Sequence, residues 1–105
     1  MADGSAGGGA VLVRIWQYDV VFGQETQFER FYGPTGSWAQ LFARSADHLG
    51  TELYRAVGQP GRYLTVDRFT STAAWRQVLE EHGEDYDALD SRCAELTTSE
   101  LEILG

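Results

Sequence analysis

The segment from Val11 to Val20, VLVRIWQYDV, is apolar on both sides of an extended chain. Successive strand side chains alternate, so Val11, Val13 and Ile15 share one side and Leu12, Trp16 and Val20 the other. A strand with two apolar faces belongs to a sheet that is covered on both sides. The chain has 105 residues, which is one domain's worth. So short a chain cannot easily supply both covers from its own elements. Helices are expected to cover one face and a second copy of the sheet the other, which predicts a homodimer.

The rest of the chain supplies those helices and the remaining strands. Phe22-Gly23-Gln24 turns the chain into a first helix over about 25–32, with Phe28, Phe31 and Tyr32 at helical spacing. Gly33-Pro34-Thr35-Gly36 breaks it, because proline lacks an amide proton and restricts its predecessor. Ser37 is expected to cap a second helix that reaches about Ser45, with Trp38, Leu41, Phe42 and Ser45 along one face. The period then changes to two over about 49–57. Leu53, Arg55 and Val57 fall on one side and Glu52, Tyr54 and Ala56 on the other. Gly58-Gln59-Pro60-Gly61 is a turn, and 62–69 returns as an antiparallel partner.

Thr70-Ser71-Thr72 offers cap oxygens for a third helix with Trp75, Val78, Leu79 and His82 as its stripe. Gly83 is expected to end it. A fourth helical segment over about 84–96 buries Tyr86, Leu89, Cys93 and Leu96, and a strand over 97–104 closes the chain. Strand, helices, strand, strand, helices, strand is the order of a split βαβ, ferredoxin-like α+β fold with one antiparallel sheet. Residues 11–105 form this domain. Met1 to Gly9 is rich in small residues, lacks the charged and apolar regions of a signal peptide, and reads with residue 10 as a flexible tail.

Charge and cysteine usage narrow the function classes. Asp and Glu number 16 against 8 Lys and Arg, a formal net charge of −8. That balance disfavours nucleic acid and anionic membranes as partners. Cys93 is the lone cysteine, so no intrachain disulfide forms and a reducing cytoplasm fits. No apolar run approaches the ~20 residues that cross a bilayer. His48 and His82 stand far apart, and no Cys/His ligand spacing, GxGxxG or phosphate loop occurs. No metal and no cofactor are expected.

Several segments resemble a known family. They are Tyr18-Asp19-Val20, Phe28-x-x-Phe31-Tyr32, Gly36-Ser37-Trp38-Ala39, Leu49-Gly50-Thr51-Glu52-Leu53, and Arg62 to Phe69 with Ser71 and Trp75 after it. Together with the element order they are similar to the antibiotic biosynthesis monooxygenase domain family of the dimeric α+β barrel superfamily. The resemblance spans nearly everything from Val11 to Gly105. It implies two sheets packed together in a homodimer and a pocket between sheet and helices in each subunit. It also implies cofactor-free oxygenation of anthrone-like or quinol-like polycyclic aromatics, or haem degradation in some members. The haem-degrading branch carries an asparagine on the first strand. This chain has no asparagine, which argues against haem as substrate. No invariant catalytic motif of the family carries over, so the activity rests on fold analogy.

Candidate site residues follow from where chemistry-bearing side chains converge. Oxygenation without a cofactor needs a base that converts a phenol-type substrate into a carbanion able to reduce O2. His48, at the helix-to-strand corner, is a candidate base, and a helix-terminal surface histidine is the bland alternative. Arg14, Arg55 and Arg68 are strand charges, one of which could hold an enolate or phenolate. Asp67 is expected to pair with Arg14 or Arg55, since a charge in a two-faced sheet needs a partner. The catalytic candidates are therefore His48, Arg55 and Arg14. Trp16, Trp38, Phe42, Tyr54, Arg68 and Tyr86 are candidates to bind a small aromatic molecule, with Trp75 assigned to the core. The alternative is a non-catalytic ligand-binding or assembly module of the same fold.

Overall fold

The computed structural model describes residues 11–105, so residues 1–10, read above as a tail, lie outside the described residues. The elements are β1 (Leu12–Val20), α1 (Glu25–Tyr32), α2 (Ser37–Phe42), β2 (His48–Arg55), β3 (Arg62–Phe69), α3 (Thr72–Cys93), a 3-10 turn (Ala94–Leu96) and β4 (Thr97–Leu104). They build a four-stranded sheet in the order β2-β3-β1-β4. Every neighbouring pair is antiparallel. This is the ferredoxin-like α+β arrangement.

One face of the sheet carries the core. Tyr18 and Val20 of β1 and Tyr63 and Phe69 of β3 are buried with Phe28 and Tyr32 of α1, Trp38, Leu41 and Phe42 of α2, and Val78, Leu89 and Cys93 of α3. The opposite face bears Val13, Ile15, Leu64, Val66 and Leu101, the last 53% exposed. The apolar character of both sides of β1 thus has a cover on one side within this chain. Among the described residues no helix is long and apolar enough to cross a membrane.

The local devices differ in places from the sequence expectation. Gly36, not Ser37, occupies the cap position of α2, and no side chain caps it. A Cβ on Gly36 would lie 2.5 Å from the Arg30 carbonyl oxygen, so this turn accepts only glycine. α2 ends at Phe42 rather than near Ser45. The third and fourth helical segments are one helix with a kink at His82, one residue before Gly83. Leu79 is 37% exposed, and Ala74 takes its place beside Val78 on the buried stripe. Ser71 caps this helix as expected, its hydroxyl accepting from the Ala74 amide at 3.1 Å. Arg44, just past α2, holds the second half of the kinked helix through Asp85 at 2.6 Å.

The start of β2 matters most for the site. Thr51 pairs with Asp67 and Gly50 with Arg68, but Phe69 then faces His48, with Leu49 bulged out. Gly50 has φ +133°, a conformation that favours glycine. A bulge of one residue exchanges which side chain points to which face. Without it Leu49 would face the helices. With it Leu49 is 54% exposed and the His48 side chain only 6% exposed.

Candidate active site

Between the helix-covered face of the sheet and α2 and α3 lies a cavity of about 180 Å³. Alternation along β1 sends Arg14, Trp16 and Tyr18 toward it, and alternation along β3 sends Thr65 and Asp67. Tyr32, Trp38 and Phe42 close it from the helices, and Tyr86 and Asp90 of α3 and Glu100 of β4 complete the wall.

The aromatic groups brace one another. Trp38 meets Tyr86 edge-on at 4.9 Å between ring centroids and lies 5.8 Å from Phe42. Trp16 stacks on Tyr18 at 6.3 Å. The Trp38 indole N–H is buried without a hydrogen-bond partner. A buried orphan donor costs about 1–3 kcal/mol, and this one is turned toward the Cys93 thiol of the core, too loosely for a full hydrogen bond.

Asp67 is the most buried charged group in the wall, with 8% of the residue exposed. The Thr51 hydroxyl donates to Asp67 Oδ1. Having spent its one hydrogen there, Thr51 Oγ1 accepts from His48 Nε2 at 3.2 Å. The same nitrogen stands 3.5 Å from Asp67 Oδ1. The His48 ring is wedged against Phe42 and Phe69, with centroids 5.8 and 5.0 Å away. His48 is therefore neither a surface helix terminus nor a cavity-lining group. It stands behind the cavity wall and steadies one oxygen of Asp67, while Oδ2 takes no hydrogen bond among the described residues.

Arg14 sits directly across the strand pair from Asp67, yet no ion pair joins them. Its guanidinium lies 4.1 Å from the Trp75 ring centroid and 5.9 Å from that of Trp16. Glu102 Oε2 is 3.7 Å away, and the Arg14 side chain is 13% exposed. Cation–π contacts of this kind hold a half-dry guanidinium in place. The expected Asp67 pairing with Arg14 or Arg55 is thus replaced by Thr51 and His48.

The phenols of the wall are donors, not bases. Burial and then the Glu100 carboxylate push the Tyr18 hydroxyl well above the usual phenol range, against a hydrogen bond with Thr65. Burial does the same to Tyr32, and to Tyr86, where the Arg14 charge partly offsets it. Outside the cavity, burial and then the hydrogen bond to Glu29 push Tyr63 up to about 12. In each case the folded value exceeds the unfolded one, near 10. Stability is therefore intact below pH ~10 and falls as pH rises toward 12, where the unfolded chain ionises first. An alkaline absorbance titration is expected to show Tyr18, Tyr32 and Tyr63 ionising only together with loss of the folded circular-dichroism signal. Their smooth ionisation near pH 10 in a folded chain would contradict this burial.

The sequence candidates divide by sheet face. Arg14, Trp16, Trp38, Phe42 and Tyr86 line the cavity, and His48 backs it. Tyr54 and Arg68 do not reach it. Both point to the opposite face, where Glu52 binds the Arg68 guanidinium at 2.9 Å and the Tyr54 hydroxyl at 3.0 Å. Arg55 keeps the helix-side parity but lies at the hairpin end opposite Tyr63, exposed and outside the cavity. Trp75 packs on Phe42 and Phe69 at 5.4 Å each and reaches the site only as the platform for Arg14. The wall also contains Thr51, Thr65, Asp67, Asp90 and Glu100, none of them among the expected site residues. The alternation of 62–69 was a readable signal for two of these, because it puts Thr65 and Asp67 with the core residues Tyr63 and Phe69.

No family model and no curated protein matches the chain. Solved structures do. SnoaB, a cofactor-independent oxygenase from Streptomyces nogalater, is 18% identical at TM-score 0.71, over 92% of this chain and 94% of that one. A Bordetella bronchiseptica protein assigned to the antibiotic biosynthesis monooxygenases is 19% identical at TM-score 0.68, again over 92% and 94%. One of the same assignment from Nitrosomonas europaea is 12% identical at TM-score 0.67, over 92% and 89%. At these identities the likeness is one of fold, and it spans almost the whole domain: this chain has the fold of the antibiotic biosynthesis monooxygenase structures.

Proposed function

We propose that the protein is a small cofactor-independent monooxygenase and that the cavity holds an anthrone-like or quinol-like aromatic substrate. The observation that carries this reading is Asp67, a buried carboxylate in an aromatic wall, anchored on one oxygen and facing Arg14. Buried bases beside a fixed cation are suited to proton abstraction from carbon or phenol acids. The likeness to SnoaB supports the reaction class. The cavity, about 180 Å³, is below the ~300–1,000 Å³ of drug-sized sites, so it encloses about two fused rings and leaves a third at the mouth.

In this reading Asp67 takes a proton from the ring methylene of an anthrone. The electron pair left on carbon is delocalised onto the ring oxygen, where the Arg14 guanidinium stabilises it. The carbanion reduces O2 as a new C–O bond forms, giving a peroxide. Loss of the second methylene proton breaks the O–O bond and leaves a carbonyl. One oxygen atom enters the product and the other departs as water, with all the electrons supplied by the substrate. His48 and Thr51 hold Asp67 in place. The open sheet face, with Val13, Ile15, Leu64 and Val66, pairs with a second copy and closes the barrel.

The test is oxygen uptake by metal-free protein with anthrones and dihydroxynaphthalenes in the presence of chelator, with sedimentation of the same sample. Uptake above the uncatalysed background by a dimer is expected. A dimer that binds these aromatics but consumes no oxygen would make the protein a binding module instead.

A further inference from the structure

The charges in the cavity wall specify its ligand more narrowly than the ring lining does. Asp67, Asp90 and Glu100 stand against one cation, Arg14. Arg14 is already committed to the Trp75 face at 4.1 Å and to Glu102 at 3.7 Å. A substrate carboxylate would therefore enter a wall of like charge with a half-occupied guanidinium as its only attraction, and like charges at close quarters are repelled. Trp16, Tyr18, Tyr32 and Trp38 line the same wall, and aromatic rings attract cations through their quadrupoles. The fields of the two outer carboxylates reach inside. Glu100 raises the hydroxyls of Tyr18, Tyr32 and Tyr86, and Asp90 also raises that of Tyr86.

We infer that the cavity is selective for a small aromatic that carries a protonated amine, and that it rejects the carboxylate analogue. This inference rests on the reading of the cavity as the substrate site. It also eases the chemistry proposed there. An anion developing on the ring beside Glu100 is opposed by that carboxylate, and the substrate's own ammonium group offsets the opposition.

Binding is to be measured by tryptophan fluorescence without oxygen, using dopamine, catechol and 3,4-dihydroxyphenylacetate, which share a ring and differ in charge. Dopamine is expected to bind at least about tenfold more tightly than the acid, with catechol between, and added salt is expected to narrow the spread. Glu100→Gln and Asp90→Asn, each checked for native circular dichroism, should each shrink the dopamine-to-acid ratio by about threefold or more. Equal affinities, tighter binding of the acid, or no binding of any probe would overturn the inference. Because this order is read without turnover, it can fail while neutral anthrones still consume oxygen, and oxygen uptake can fail while the order holds.

Discussion

Asp67→Asn is expected to lower kcat for oxygen uptake by about 10²–10⁴-fold, the range of a positioned general base, while KM changes little. Asparagine keeps the shape of the side chain and still accepts from the Thr51 hydroxyl through its carbonyl oxygen, so the anchor seen at Oδ1 survives. What is lost is the ability to take a proton. The split between kcat and KM is the informative readout, because a change that disorders the cavity would raise KM as well. No other group in the wall replaces Asp67. Tyr18, Tyr32 and Tyr86 are held protonated by burial. Asp90 and Glu100 are exposed at the rim. His48 lies behind Thr51. Turnover by Asp67→Asn within about threefold of the wild type would remove Asp67 from the chemistry and return attention to His48.

In the sequence Asp67 reads as one half of a structural ion pair, and its place in the cavity wall depends on contacts that local patterns do not carry. The two-faced pattern of β1, the bounds of α1 and β3, and the closing strand were legible because each follows from local periodicity and turn residues. The aromatic and basic residues of the cavity on β1, Arg14 and Trp16, follow from the same alternation once β1 is known to be central. Tyr54 and His48 lie close along one strand, which points to a shared site. His48 and Tyr54 are an even number of positions apart, so alternation alone puts them on one face, and it is the Leu49 bulge that sends them to opposite faces. His48 itself turns inward only because of the Leu49 bulge, which depends on the positive φ of Gly50. A Gly at a helix-to-strand break has many local uses, so no sequence period reveals this one. The partner of Asp67 depended on a lateral register between β2 and β3, which places Thr51 opposite it and leaves Arg14, its neighbour on the other side, drawn to Trp75.

The second large effect is structural. Phe28→Ala is expected to destabilise the fold by about 3–5 kcal/mol, the usual cost of emptying a buried phenylalanine site. Phe28 is fully buried and is the hub of an aromatic cluster. Its ring stacks on Tyr32 at 4.2 Å and leans on Tyr63 at 4.9 Å and Tyr18 at 5.3 Å. Three rings of three different elements therefore lose a common partner, and α1, only eight residues long, has few other anchors. Domains of this size are stable by about 5–15 kcal/mol, so the variant keeps little margin. At roughly 4–8 °C per kcal/mol, its melting temperature should fall by on the order of 15 °C or more. Protein concentration must be matched, because the proposed dimer would add stability by mass action. The effect reaches the site as well. Tyr18 and Tyr32 meet the cavity on one edge and Phe28 on the other, so the aromatic wall loosens when its backing is removed. Ligand affinity should drop even at temperatures where Phe28→Ala remains folded, whereas Phe28→Leu, which keeps most of the volume, should melt higher and bind better than the alanine variant. A Phe28→Ala melting point within a few degrees of the wild type would show that the cluster is not what joins α1 to the sheet.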